Sequence, residues 1–511
     1  MGPISEGENS PEIHGLATGA RTGLIGAIGG RFLNVLGNII VARVLGPSVF
    51  GLYAIGWTLV RFFSLVVHFG MDRGVLYFAP KFWQKNPSDF KALVSKVLSI
   101  SLGSGILFGL IFFLISPWLA VNIYKRPELV TVFRLFALAF PPLSFLIVAA
   151  AATRVTQRIK YSVWLYDFGQ PLLGILLIAA LLILKQGLIG MVLAEIISLG
   201  VAAVFSLVLF RVIFPELRTP SISQGVSTSA LLKYSVPAML GGAFSVYVLW
   251  VDRIVVGLFL PAEEIGVYVA VSQISTILMV ILSGLSPIAV PLFAHFYHQQ
   301  DKGKLEEVYR ISTKWGIYLS IPILAVLLIS PAESLVLIFG NAYKDGATIL
   351  LILLIGQIVN LATGSVNPLL IMTENQRFLF KISAITLAVD ILLLVLLVPR
   401  AGLLGAAIVT SLCLSFLYLI ELFWVKKRLN LWPYDRRFLK GIFAGITCFA
   451  AVFLVKSILH LNPVMCIIIE AVVAIGVFTG MLLLQKLDPE DREFLRGFSM
   501  GVHLPGKNNG K

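Results

Sequence analysis

Apolar residues along this chain gather into about fourteen runs of roughly twenty or more, each long enough to cross a hydrocarbon core about 30 Å thick. The runs fall near 21–45, 50–79, 95–117, 127–152, 162–184, 187–210, 233–260, 265–290, 313–331, 346–372, 378–398, 402–425, 438–458 and 463–485. Gaps between them do not exceed roughly two dozen residues, which leaves no room for a soluble catalytic or nucleotide-binding domain. The pattern predicts an all-α polytopic membrane protein with about 14 transmembrane helices.

Charge refines this picture. If each run crosses once, the gaps alternate between two sides. Of the 40 Lys and Arg, 28 fall on one side, including Arg21, Lys81, Lys96, Arg154, Lys233, Lys314 and Lys426. The other side has only Arg43, Lys125, Arg126, Lys185, Lys344 and Arg400, and six more lie inside spans. The positive-inside rule then makes both termini cytoplasmic. The net charge of +14 follows sidedness instead of forming one basic stripe, so the expected partner is the lipid bilayer and not nucleic acid. At 58% hydrophobic and 13% charged over 511 residues, a soluble fold would need an implausibly large core. The polar first twenty residues lack a basic n-region and a cleavable apolar segment, so span 1 serves as the insertion signal. Cys413, Cys448 and Cys466 all fall within spans, with no metal spacing, and read as buried inert thiols.

A repeat divides the chain. VARVLGPSVFGLYA (41–54) resembles VVGLFLPAEEIGVYVA (255–270), TQRIKYS (156–162) resembles NQRFLFK (375–381), and KQGLIGMV (185–192) resembles RAGLLGAA (400–407). The matches lie 215, 219 and 215 residues apart, so spans 1–6 map onto spans 7–12. An even number of spans per unit gives the two the same orientation, related by a pseudo-two-fold along the membrane normal. The expected organisation is a cytoplasmic polar tail (1–20), a first lobe (21–210), a Pro/Ser/Thr-rich linker (211–232), a second lobe (233–425), a basic loop (426–437), two further helices (438–485) and a cytoplasmic tail (486–511). Two such bundles make a central cleft that can rock open to either side.

Polar side chains inside the spans mark where such a cleft would lie. Span 1 carries Arg31, Asn34 and Asn38 on one helical face, and span 2 carries Trp57, Arg61, Ser64, His68 and Asp72 along nearly four turns of another. Span 10 offers Gln357, Asn360, Gly364 and Asn367, and span 8 offers Ser272, Thr276 and Ser283. Ionisable groups at membrane depth cost roughly 2.5–3.5 kcal/mol each on insertion scales and usually face a bundle interior or a wet cavity. Helix-to-helix hydrogen bonding is the bland explanation for the Ser, Thr and Asn positions. It fits Arg31 and Arg61 poorly, because arginine keeps its proton and neither has a carboxylate four residues away. Arg73 and Arg253 each follow an aspartate, Asp72 and Asp252; neighbours on a helix point apart, so each is expected to pair with another helix. Arg134, Lys456 and Glu421 lie near span ends and are expected to snorkel.

The cationic excess near Arg31, Arg61 and Arg73 selects an anion, and guanidinium suits phosphate or pyrophosphate. Asp390, midway along span 11, is the foremost candidate for a proton or Na⁺ coupling site, with Asp252 and Glu195 as further carboxylates at depth. Zincin and nucleophile-elbow motifs are absent. GVHLPGKN (501–508) falls one residue short of a phosphate-binding loop, with no room for the helix that should follow. No cofactor is expected, and the energy for any transport must come from gradients, the membrane potential or a partner.

The first span ending in VARVLGPSVFGLYAIG, the second ending in HFGMDRGVLYFAP and the seventh, YSVPAMLGGAFSVYVLWVDRIVVGLFLPAEEIGVYVA, resemble the polysaccharide-biosynthesis flippases of the multidrug/oligosaccharidyl-lipid/polysaccharide exporter superfamily. The similarity runs over about residues 16–485 and is most specific in the LGP-x-x-FG-x-Y and LPAEEIG-x-Y turns. It implies two six-helix lobes plus two C-terminal helices in a prokaryotic cell membrane. It also implies a non-enzymatic flippase that carries a polyprenyl-(pyro)phosphate-linked glycan from inner to outer leaflet by alternating access. Relatives that flip the peptidoglycan precursor use arginines in a central cavity, and Arg31 and Arg61 occupy similar spans. The drug-exporter branch typically has a carboxylate in its first span, which this chain lacks. On this reading Arg31, Arg61, Arg73 and Arg253 hold the headgroup, while Asn34, Asn38, Ser64, His68, Thr276, Gln357, Asn360 and Asn367 line the cleft. Glycan polymerases or glycosyltransferases are candidate partners. The rival readings are a cation-coupled exporter of drugs or metabolites, with Asp390 or Glu195 as coupling group, and a non-transporting scaffold for glycan-assembly enzymes.

Overall fold

The computed structural model describes residues 11–83, 86–155, 163–213, 226–459, 462–485, 488 and 491, with only the backbone course described at 11–28, 163–165, 211–213, 241–242 and 287–288. Its helices are α1 (Pro11–Val67), α2 (Met71–Phe78), α3 (Pro87–Trp118), α4 (Leu129–Ala137), α5 (Phe140–Val155), α6 (Gln170–Ile183), α7 (Gly187–Ile213), α8 (Thr228–Tyr247) and α9 (Val251–Phe259). They continue as α10 (Ala262–Ser275), α11 (Ile277–His298), α12 (Lys302–Ile329), α13 (Pro331–Phe339), α14 (Ala347–Thr363), α15 (Val366–Met372), α16 (Gln376–Leu429), α17 (Phe438–Ile458) and α18 (Pro463–Leu484). No strand occurs among the described residues, and the chain is an integral membrane protein. The linker segment 214–225, the repeat piece 156–162 and the near-match at 501–508 lie outside the described residues.

Ten described helices are long and apolar enough to cross a membrane, or twelve if the bent pairs α4/α5 (41°) and α8/α9 (57°) each count as one. Two of the ten, Gly29–Lys81 with 53 residues and Gln376–Leu429 with 54, are far too long for one crossing. At 1.5 Å per residue each would reach about 80 Å. Each breaks at a glycine with positive φ, Gly46 (78°) between two of the apolar runs and Gly402 (56°) at the start of one. The expected fourteen would require both broken helices to cross twice.

The repeat has a conformational counterpart. Gly187 and Gly402, 215 residues apart, hold nearly the same left-handed φ, 54° and 56°. A contact between the lobes makes the symmetry sharper. A Cβ on Gly51 would lie 1.9 Å from the Ala262 carbonyl oxygen, and one on Gly266 would lie 2.0 Å from that of Pro47. Positions 47 and 51 map onto 262 and 266, so each half gives the other the same contact, as a two-fold interface requires. Only glycine lets α1 and α10 approach this closely, and both glycines belong to the Gly-x-Tyr pieces of the repeat.

That seam lies toward the side with few cations. Tyr343 donates to the Ala42 carbonyl there at 2.9 Å, Arg43 to that of Leu337 at 2.6 Å, and Arg126 to that of Leu260. On the basic side the lobes meet again, where Tyr77 of α2 stacks on Tyr234 of α8 (centroids 4.0 Å apart) and Lys96 donates to the Val226 carbonyl at 2.7 Å.

Helices α17 and α18 pack on α12 through Tyr318, Ile321, Ala325, Ala444, Cys448 and Phe478. On the basic side Lys314 meets Asp491 at 2.6 Å, and Lys440 meets Asp488 at 2.7 Å. Toward the other end Lys456 meets Glu333 at 2.9 Å, and Ser330 donates to Glu470 at 2.7 Å. The terminal pair is thereby fastened to the second lobe. The three cysteines are free and buried, as their position in spans implied.

Candidate functional site: a cationic cavity between the lobes

Span 2 does not run straight. Helix α1 ends at Val67, Phe69 and Gly70 adopt φ of 49° and 68°, and α2 starts at Met71. The break turns the polar stripe of this span inward at membrane depth, a use of irregular backbone that is tolerated where it lines a cavity. A cavity of about 340 Å³ opens beside it. Arg61, Ser64, His68, Asp72 and Arg73 form its first-lobe wall, with Arg154 from α5 and Tyr166 from the helical segment Val163–Gly169. Met239, Tyr247 and Trp250 close it from the second lobe.

Arg61 is held from two directions. Its guanidinium lies over the Trp57 ring, 4.6 Å from the centroid, and donates to the Tyr166 hydroxyl at 3.3 Å. Glu195 is close enough for the two charges to interact, yet it forms no ion pair with Arg61. Instead its carboxylate accepts from Gln170 at 3.2 Å within the core of the first lobe. Among the described residues Asp72 is the sole carboxylate lining the cavity, and it is engaged by His68 Nε2 at 3.0 Å and Arg73 Nε at 3.3 Å. Arg154 lies 4.0 Å from Asp167, which is outside the lining. Three guanidinium groups thus face one partnered carboxylate.

The expectation that Asp72 and Asp252 would each pair with another helix needs correcting for the first. Asp72 sits in the opening turn of a new helix, next to the backbone break, and there Arg73 can fold back onto it while His68 reaches it along the stripe. Asp252 does reach another helix, accepting from the Tyr268 hydroxyl at 2.8 Å, while Arg253 lies over Trp250 at 4.6 Å.

Other residues singled out from the sequence are not in this lining. Arg31 donates to Ser283 of α11, and Asn34 to the Gly30 carbonyl at 2.9 Å; Asn38 is half-buried. Gln357 and Asn360 are buried in α14, with Asn360 donating to Gln357 at 3.4 Å, and Asn367 donates to Glu421 at 3.3 Å. Thr276 marks the junction of α10 and α11 and donates to the Gln273 carbonyl. Glu421 does not snorkel: it is fully buried, because it lies on the face of α16 that packs against α15. Arg154 and Tyr166 were missed. Arg154 follows the apolar run and reads as a loop cation, and Tyr166 has no polar periodicity around it to flag it.

A second polar cluster lies inside the second lobe. Asp390 of α16 is fully buried, with the Asp252 charge and the Cys413 thiol as neighbours. Neither of its oxygens has a nitrogen or oxygen hydrogen-bond partner among the described residues, and Thr386 Oγ1 is also unpartnered. Tyr268 bridges Asp252 and Thr410, at 2.8 and 3.2 Å.

A family model described as Polysaccharide biosynthesis protein matches residues 40–348. Among curated proteins, the chain is 25% identical over 392 residues to the probable flippase AglR of Haloferax volcanii, covering 75% of this chain and 78% of that one. It is 23% identical over 197 residues to the probable low-salt glycan biosynthesis flippase Agl15 of the same organism, covering 39% of this chain and 41% of the relative. Among solved structures it resembles the lipid II flippase MurJ in an inward closed conformation, with TM-score 0.74, 14% identity and coverage of 93% of this chain and 99% of that one. An inward-facing multidrug resistance MATE family transporter, described as of the MOP superfamily, gives TM-score 0.67 at 13% identity, covering 78% and 94%.

Proposed function

The chain belongs to the polysaccharide biosynthesis protein family, and from that premise we propose that it moves a lipid-linked anionic glycan precursor across the membrane. The cavity carries this reading: Arg61, Arg73 and Arg154 face a space whose single carboxylate is already partnered. Guanidinium forks match phosphate oxygens, and in a partly dry site their hydrogen bonds are strong. The phosphate or pyrophosphate would sit against these groups, with the isoprenoid tail left in lipid. Names of relatives support the class of activity, since AglR is a probable flippase and Agl15 a probable glycan biosynthesis flippase.

Alternating access would use the two lobe contacts as gates. Parting the Tyr77–Tyr234 stack opens the cavity to the basic side, which the positive-inside rule assigns to the cytoplasm. Parting the Gly51–Gly266 seam opens it to the other side. Outward movement of one negative charge gains about 2.3 kcal/mol per 100 mV across a membrane negative inside, without ATP.

Asp252 and Asp390 are the proposed coupling site. Asp252 has the Tyr268 hydroxyl, the Arg253 N–H and the Arg253 charge to hold it, whereas Asp390 is buried beside it with no such partner among the described residues, so Asp390 is where a proton or Na⁺ would bind. The experiment for the main reading uses vesicles containing the purified chain and a fluorescent short-chain prenyl pyrophosphate whose outer-leaflet population is quenched. Translocation should fall at least tenfold in Arg61→Ala and further in Arg61→Ala/Arg73→Ala. Unchanged translocation in the double variant would remove the anion site.

A further inference from the structure

We propose that His68 and Asp72 form a proton-binding site whose occupancy sets how tightly the cavity holds an anionic ligand; the coupling rests on the anion-site reading above. His68 Nδ1 lies 2.8 Å from the Ser64 carbonyl oxygen, which can only accept, so Nδ1 carries a hydrogen. Nε2 lies 3.0 Å from Asp72 Oδ1. A bare imidazole nitrogen and a carboxylate are both acceptors and repel at that distance. The contact therefore needs a proton between them. Whether it resides on the ring or on the carboxyl group, the pair is neutral. His68 is only 4% exposed, so water does not replace the contact.

Loss of that proton leaves one negative charge in the wall of the cavity, and it strengthens the hold that Asp72 already has on Arg73. Among the described residues the cavity lining offers no second carboxyl or imidazole group. Arg61 and Tyr166 bond each other, Arg154 has Asp167 at 4.0 Å, and Tyr247 and Trp250 face the cavity from the second lobe. Of the cations on elements packed against α2, Lys96 donates to the Val226 carbonyl and Lys81 lies over the Tyr77 ring, while Lys91 is buried on α3 and Lys233 is exposed on α8. Coupling is reciprocal: a proton on the pair favours the anion, and an anion in the cavity draws a proton onto the pair. Affinity is thus full while the pair is protonated and falls as pH rises through its deprotonation. The expected drop is about tenfold, the effect of one charge about 10 Å away at an effective dielectric near 20.

The test is calorimetry on the purified full chain with geranylgeranyl pyrophosphate, in buffers of different ionisation enthalpy between about pH 5.5 and 8.5. The wild type should take up as much as one more proton per ligand than His68→Gln or Asp72→Asn; protons of the probe itself cancel in the comparison. Equal uptake in all three overturns the coupling. A second measurement needs no ligand: the titration of the wild type minus that of His68→Gln should show one extra proton released over the same range. A flat difference overturns the site whether or not the probe binds. If the extra proton is present but the probe binds neither protein, the anion-site reading and its coupling fall and the proton site is upheld.

Discussion

Replacing Gly51 or Gly266 with alanine tests the symmetric seam where it is tightest. The new methyl at 51 would start 1.9 Å from the Ala262 carbonyl oxygen, and that at 266 would start 2.0 Å from the Pro47 oxygen. Ordinary Cβ contacts do not come within 3.0 Å, so α1 and α10 must separate by about 1 Å or more. Both obstructing atoms are backbone, and no rotamer change can yield. Overpacking of this kind costs about 1–3 kcal/mol. In a protein that alternates between two states, the cost falls only on the state with this seam closed, and about 1.4 kcal/mol already shifts the population tenfold. Each single variant should therefore raise thiol labelling of a cysteine introduced at a buried position one turn from Gly51, at Ala54, by about tenfold. The double variant should cost less than the sum of the two, because one separation relieves both clashes. Thermal unfolding in detergent provides the stability control. Unchanged labelling and unchanged unfolding temperature in both single variants would refute the close approach, and with it the two-fold contact.

Four further outcomes are expected. Lys314→Ala removes the cation from a buried cluster with Asp491 and Asp488 and should cost about 3–5 kcal/mol, read as a fall in unfolding temperature. Lys440→Ala, at a pair with a half-exposed cation, should cost much less. Asp301 caps α12 by accepting from the Lys304 N–H, which holds its carboxyl below the usual aspartate range. The capped form is ionised, so its contribution is present above the ordinary aspartate value and is lost as pH falls through the lowered one. The stability difference between wild type and Asp301→Ala should accordingly vanish only in strong acid. Asp390→Asn should abolish dependence of transport on a proton or Na⁺ gradient while leaving headgroup binding intact; binding lost together with coupling would place Asp390 in the cargo site instead.

The membrane fold was legible because the bilayer imposes it: apolar runs, alternating cation counts and the three repeat matches are properties of sequence order alone. The repeat was most informative where it reached backbone geometry, at Gly51, Gly266, Gly187 and Gly402. The candidate site was legible only in part. Arg61, Ser64, His68 and Asp72 could be grouped because they share one helical stripe. Arg31 belongs to an equally good stripe, yet it bonds to Ser283 on α11. Helical spacing shows which residues share a face, but not what that face meets. Arg154 and Tyr166 come to the cavity through tertiary packing of α5 and the segment Val163–Gly169, for which no local pattern exists. The Asn367–Glu421 bond likewise lies beyond a break that the apolar run does not announce, at Gly364, whose φ of 67° ends α14.

The most direct measurement compares equilibrium binding of a prenyl pyrophosphate and of the corresponding prenyl alcohol to wild type and Arg61→Ala. Loss of a charge-assisted hydrogen bond at about 1.5–3 kcal/mol predicts roughly ten- to hundredfold weaker pyrophosphate binding in the variant, with the alcohol unaffected. Equal loss for both ligands, or for neither, would contradict a guanidinium-lined anion site.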